Sequence, residues 1–252
     1  MKKKNEYIAQ LERFLERDVM PNLSMEEKGY ASRREANDFI LENPLAFVLG
    51  LIFDQSMKSS VAWESPFLLK ERLGHLDIDR IAAMNEDELS KIIARKKALH
   101  RYPKTTARHI ISTCDTVVSK FSGKTENLWK GLDHFSDAKK NLLSLKGIGE
   151  KKANLAILML ARDFRVQFDD IENLPLAIDV HLKRVLDRSG FFNTESREGL
   201  EELHRNLREQ CHCFPALLGT ALWLIGRHYC HETSPTCDDC PLAHSCLKRI
   251  DP

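Results

Sequence analysis

Apolar side chains along this chain recur every three or four positions, as in Ile92, Ile93 and Leu99; Ile110, Ile111, Val117 and Val118; Leu155, Leu158 and Met159; and Leu217, Leu218, Leu222 and Ile225. That spacing gathers them on one side of a helix, whereas the strict alternation of a half-buried strand is hard to find. Breaks at Tyr102-Pro103, Ser122-Gly123, Gly147 to Gly149, Leu174-Pro175, Ser189-Gly190 and Ser234-Pro235 cut the chain into helices of ordinary length with brief connectors. The predicted class is all-α. Pro44 to Phe53, the most apolar run, is far shorter than the roughly 20 residues of a membrane-spanning helix, so it is expected in a core and no membrane partner is expected. Phe168 to Pro175, with three acidic residues and a proline, reads as a loop.

A chain of 252 residues exceeds one average domain and can form two small lobes, and 42% apolar residues suffice for a core. The formal charge is +1, from 38 basic and 37 acidic residues. A protein that coats nucleic acid by overall charge is thereby excluded, and any such surface must be a local patch. Met1-Lys2-Lys3-Lys4 resembles the start of a secretion signal, yet Asn5 to Asp18 supplies no apolar segment, so a cytoplasmic location is expected. Of seven cysteines four cluster near the C-terminus; the odd remainder, Cys114, Cys211 and Cys213, fits buried thiols in a reducing compartment.

The clustered four are Cys230, Cys237, Cys240 and Cys246, separated by six, two and five residues. Thiolates this close in sequence can surround one centre, and soft sulfur suits either an iron–sulfur cluster or zinc. Some eighty residues upstream stands Leu145-Lys146-Gly147-Ile148-Gly149-Glu150-Lys151-Lys152-Ala153. It follows a predicted helix from Ser136 to Leu145, with Ser136 as its N-cap, and precedes an apolar helix from Ala153 to Ala161. Helix, hairpin and helix result. The glycines permit positive φ and close backbone approach, while the unpaired amides of the second helix face outward where a phosphate can sit.

These segments resemble the helix-hairpin-helix DNA glycosylases, and within them the iron–sulfur endonuclease III branch. The hairpin is similar to that family's L-P-G-V-G-x-K-x-A, Ile178-Asp179-Val180-His181-Leu182-Lys183-Arg184-Val185 to its V-D-T-H-x-x-R-V, and Gly226-Arg227-His228-Tyr229-Cys230 to its G-R-x-x-C. The cysteine spacing agrees with the family's iron–sulfur pattern, and weaker similarity runs from about Phe39 to the C-terminus. The resemblance implies a two-lobed helical fold, with a six-helix lobe over residues 40–165. A discontinuous lobe of residues 1–39 and 166–252 would carry a [4Fe–4S] cluster, with zinc as the alternative. It further implies a cleft holding Lys151 and Asp179, a monomer, and a partner in double-stranded DNA with a damaged base or abasic site.

By position, Lys151 matches the lysine that attacks the sugar and Asp179 the family's essential aspartate. Gln55 matches the residue that fills the gap left by a rotated-out nucleotide, a step that costs a few kcal/mol of stacking and pairing. Gly147, Ile148, Gly149, Lys146, Lys152 and Arg184 are the expected DNA contacts, and binding should weaken with salt. Asp54, Phe53 and Trp63 are candidates for a base pocket, although helical cores use such aromatics too. The implied activity joins glycosylase and AP lyase; a glycosylase without lyase activity, and a non-enzymatic iron–sulfur DNA-binding protein, are the alternatives. Departures from the family are Lys146 for the hairpin proline, and a stretch of 28 positions between Lys151 and Asp179 that the loop Asp169-Asp170-Ile171-Glu172 lengthens. The excised lesion depends on a few pocket contacts that no motif specifies.

Overall fold

The computed structural model describes residues 2–250; Met1 of the N-terminal lysine run, Asp251 and Pro252 lie outside the described residues. Among the described residues there are helices and turns and no strand, in keeping with the helical period. Contacts divide the chain into two units, residues 24–156 and residues 1–23 with 157–252.

The chain begins with α1 (Lys2–Phe14), part of the discontinuous unit. The continuous unit holds α2 (Arg34–Glu42), α3 (Pro44–Phe53), α4 (Ser59–Leu73), α5 (Ile78–Ala82), α6 (Glu86–Ala94), α7 (Pro103–Lys120), α8 (Phe135–Leu143) and the start of α9 (Glu150–Asp163). Every residue of α3 from Leu45 to Phe53 is buried. A helix apolar on all faces has no solvent side, and burial worth about 1.5–3 kcal/mol per large side chain outweighs the weaker helix propensity of its β-branched residues. Pro44 at the first helical position and the Asn43 side chain, which accepts from Ala46 N at 3.0 Å, set its start. The indole of Trp63 on α4 lies directly over Gly50, where a Cβ would stand 2.5 Å from the ring. The absence of a side chain at Gly50 therefore brings α3 and α4 together. The α2 helix, assigned from sequence to the discontinuous lobe up to residue 39, packs on α3 and α4 with Ala36 and Ile40 fully buried. Arg72 closes the end of α6, donating to the carbonyls of Ile92 at 2.8 Å and Ile93 at 3.2 Å.

The discontinuous unit adds α10 (Val180–Ser189), α11 (Arg197–Gln210) and α12 (Leu218–His228) to α1. Its core takes Tyr7, Ile8 and Leu11 from α1, Leu182, Val185 and Leu186 from α10, and Leu222 and Ile225 from α12. Gly226 permits the crossing of α10 and α12, since a Cβ there would lie 2.8 Å from that of His181. The carboxylate of Glu12 is buried yet satisfied. It accepts from the amides of His212 at 2.5 Å and Cys213 at 3.1 Å, and these bonds, with the His212 ring, outweigh burial and hold it below the usual carboxylate range. No single helix of the described residues is long and apolar enough to cross a membrane.

Candidate nucleic-acid interface and metal centre

The hairpin grows out of α8. That helix starts at Phe135, two residues before the start that a Ser136 cap would give: His134 is the N-cap residue, without a side-chain capping bond, and the ring of Phe135 is buried. Past its end, Leu145 and Ile148 turn inward and are buried, so the side chain of Ile148 serves the core and only its backbone belongs to the surface turn. Lys146, Gly149 and Glu150 are exposed. Gly147 has φ +88°, and a Cβ there would meet His109 Nδ1 at 2.5 Å. The position is closed to other residues twice over, by backbone conformation and by the imidazole. At Gly149 a Cβ would meet nothing within 4 Å. The open space lies at the outer face, beside the first amides of α9, which have no partner within the helix. Gly147→Ala is expected to destabilise the protein by about 1–3 kcal/mol and to weaken duplex DNA binding. Thermal melting and a binding isotherm check both; unchanged values would mean that His109 yields freely.

Lys151 is exposed on the first turn of α9, and Lys152, one residue round the helix, turns inward. Its ammonium donates to Gly147 O at 3.1 Å and to Ile52 O at 3.4 Å. Burial lowers this amine to about 8; the charge of Lys151 adds to the depression and that of Asp54 opposes it. Glu150 is paired with Lys139 at 2.6 Å, so its charge at the helix start is partly neutralised.

Gln55 sits on a corner that follows α3. Its side chain is exposed while its backbone is held: Gln55 N donates to Phe53 O at 2.7 Å, and Gln55 O is 3.0 Å from His100 Nε2. Nδ1 of the same buried imidazole accepts from Tyr102 N at 3.0 Å, which assigns the proton to Nε2 and makes it the donor to Gln55. Burial lowers His100 and His109 below the ordinary histidine value, and the charge of Lys152 adds to the effect in both. The two candidate pocket aromatics lie in the core. Phe53 is 0% exposed and Trp63 1%, and the Trp63 ring packs edge-on against Tyr30 at 5.1 Å. Asp54 is half-buried within electrostatic reach of Lys152.

In the discontinuous unit Asp179 is the N-cap of α10, and its Oδ1 accepts from His181 N and Leu182 N, each at 2.9 Å. Two amide donors thus fix the carboxylate at the N-terminus of α10. Arg184, expected at DNA, spends its guanidinium within this unit, donating to Cys230 O at 2.6 Å and Gly226 O at 2.9 Å. The acidic loop turns through a short 3-10 segment, Ile171–Asn173, and is anchored by buried Phe168, Leu174 and Leu176. It is tied to α11, where Arg208 donates to Asn173 Oδ1 at 2.7 Å and His204 Nε2 accepts from Leu176 N at 3.3 Å.

Cys230, Cys237, Cys240 and Cys246 all line one hollow, partly open to solvent, with Tyr7, Val185, Ile225 and Leu242 as its apolar wall. Hydrogen-bond donors reach the sulfurs. Lys248 N is 3.3 Å from Cys246 Sγ, Leu242 N 3.5 Å from Cys240 Sγ, and Arg188 Nη1 3.6 Å from Cys230 Sγ. Burial, with the charges of the other three sulfurs, pushes Cys240 up to about 11, and a bound cation favours the thiolate form of such ligands. Four soft sulfur donors round one hollow suit either an iron–sulfur cluster or zinc.

Sequence reasoning did not find His100, His109, Arg188 or Tyr7, because their partners are remote in the chain and no motif announces them. Arg188 braces the cysteine loop through the carbonyls of His231 at 2.5 Å and Glu232 at 2.9 Å.

No protein-family model matches the chain. Endonuclease III of Rickettsia felis is 28% identical over 172 residues, 67% of this chain and 67% of that protein. Endonuclease III of Thermotoga maritima is 25% identical over 140 residues, 56% of this chain and 55% of the relative. Among solved structures, a trapped covalent intermediate of endonuclease III with DNA aligns over 98% of this chain and 95% of its own, with TM-score 0.66 and 18% identity. A thermostable thymine-DNA glycosylase aligns over 98% and 96%, with TM-score 0.63 and 14% identity. At such identities the structural likeness establishes the fold.

Proposed function

From the premise that this chain belongs to the helix-hairpin-helix DNA glycosylase superfamily, we propose that it excises damaged bases from duplex DNA in base-excision repair and then cleaves the abasic strand as an AP lyase. The observation that carries the reading is the exposed Lys151 amine on the first turn of α9, directly after the open, glycine-lined end of the hairpin. In its neutral form that amine attacks C1′ of the deoxyribose, the glycosidic C–N bond breaks, and the base departs with a proton. The C1′–O4′ bond then breaks as O4′ takes up a proton, and the ring-opened imine so formed acidifies C2′; loss of that proton and departure of the 3′ phosphate complete β-elimination. Asp179, fixed by two amides at the start of α10, stabilises positive charge developing on the sugar and moves the proton to or from the amine. Gln55, presented on a braced corner, fills the space in the stack. Lys146 and the hairpin amides hold phosphate.

The four cysteines would hold a [4Fe–4S] cluster, with zinc the alternative. When bound, such a group would cross-link the C-terminal loop to itself from Cys230 to Cys246, beside the side chains of α1 and α10 that line the hollow; the cysteine sulfurs, braced by Arg188 and two amides, would fix its place.

A second reading, a glycosylase without lyase activity, is favoured by the long chain between Lys151 and Asp179. Duplexes carrying one lesion each, incubated with the protein and run on a gel before and after alkali, separate the readings. Breaks before alkali are expected for at least one lesion; breaks only after alkali mean base release alone, and none would sink the enzymatic reading. Asp179→Asn is expected to slow base release by about 10²–10⁴-fold. Because Asn caps helices as well as Asp does, α10 should survive that change, and an equally active Asp179→Asn would remove the carboxylate from the mechanism.

A further inference from the structure

Lysines on exposed helices extend their ammonium into water. Lys152 does the reverse. It carries its charge inward to two carbonyls from segments far apart in the chain, Gly147 O in the hairpin and Ile52 O in the last turn of α3. Ile52 O is among the final carbonyls of a helix, which have no partner within it, and a cation at that end is favoured by the helix dipole. Three residues past Ile52 comes Gln55. The same layer contains the two histidines: His109 against Gly147, and His100 bonded to Gln55 O. Asp54 lies within reach to offset the buried charge.

We propose that Lys152 is a positioning residue that locks the hairpin to the Gln55 corner, so that the phosphate grip and the gap-filling side chain meet DNA as one rigid piece. The proposal rests on the roles given above to the hairpin and Gln55, and it withdraws Lys152 from the phosphate contacts expected from sequence. Its physical content is a coupling. Phosphate binding fixes the hairpin in space, and through one ammonium it fixes the register at which Gln55 enters the stack. Without the tether, each segment would have to be ordered separately when DNA binds.

Lys152→Met keeps the aliphatic stem and removes the donors. In the free protein, hydrogen exchange is expected to rise about tenfold or more at residues 144–150 and 52–57 together, since each loses the same restraint. With a duplex holding a stable abasic analogue and 2-aminopurine opposite it, the fluorescence change on binding should fall. The slope of log affinity against log salt should stay at the wild-type value, because no phosphate contact is lost. A slope smaller in magnitude by about 0.9 would show that Lys152 neutralises a phosphate, and unchanged exchange at either segment would show that it is no tether; either result overturns the proposal. Gln55→Ala tests the underlying role separately. If that variant leaves the fluorescence change intact, the gap-filling role fails, while the exchange data still judge the tether. Lys152→Arg keeps charge and donors and should restore protection at both segments. It replaces Lys152→Met if the latter does not fold, and protection lost at one segment alone then overturns the proposal.

Discussion

Lys151→Ala is expected to abolish the protein–DNA adduct that borohydride traps on an abasic duplex, lowering its yield by about 10³-fold or more. Only the imine between amine and C1′ is reducible, and removing a nucleophile removes the covalent route rather than weakening it. The fold should be untouched, because Lys151 is exposed in the first turn of α9 and Ala favours helices. Melting temperature and adduct yield, measured on one preparation, therefore move independently. Persistence of the adduct would transfer the nucleophile to another amine. The candidate is then Lys152, half-buried and lowered to about 8, which a second trapping with Lys151→Ala/Lys152→Met decides. Complete absence of an adduct in the wild-type protein would sink the lyase step itself.

Removal of a ligand to the proposed metal centre should have the second large effect. Cys240→Ser takes one ligand from a hollow whose sulfurs also pack against the core of the discontinuous unit, with Cys230, Cys240 and Cys246 against Tyr7 and Leu242. Structural metal sites contribute folding free energy of about 10 kcal/mol or more, comparable with the whole stability of a domain. Cooperative melting of residues 1–23 with 157–252 is therefore expected to be lost, whereas the core around α3, built without cysteine ligands, keeps its transition. Metal analysis with calorimetry checks this. About four irons per chain, falling on substitution, fit the cluster; one zinc would fit the alternative, and a chain equally stable without metal would leave the cysteines no structural role.

Much of this was legible in the residues alone. The helical class follows from spacing, and α3 from an unbroken apolar run between Pro44 and Phe53. Asp179 proves to cap α10, which short-range rules foresee, because the carboxylate and the amides it accepts from are two and three residues apart. The hairpin glycine at 147 was likewise apparent as a turn. The imidazole that closes its inner side was not, since His109 stands 38 positions earlier and reaches it only through the packing of α7. Phe53 and Trp63 illustrate the opposite failure. An aromatic beside a candidate site reads as a stacking platform until its burial is known, and both belong to the core. At Arg184 a family motif suggests a phosphate contact, and only the folded chain shows that Nε and Nη2 donate to the carbonyls of Cys230 and Gly226.

Chain order, then, settles whatever depends on neighbours a few residues apart: helical period, caps, turn glycines and the close spacing of four thiols. Folding in three dimensions settles the direction in which each side chain is spent. Lys151 and Lys152 are adjacent and chemically identical, and a helical step of about 100° sends one to solvent and the other to carbonyls at Gly147 and Ile52. A motif match could give the two lysines different roles but not the direction in which each points, because burial and hydrogen-bond partners are properties of the packed chain.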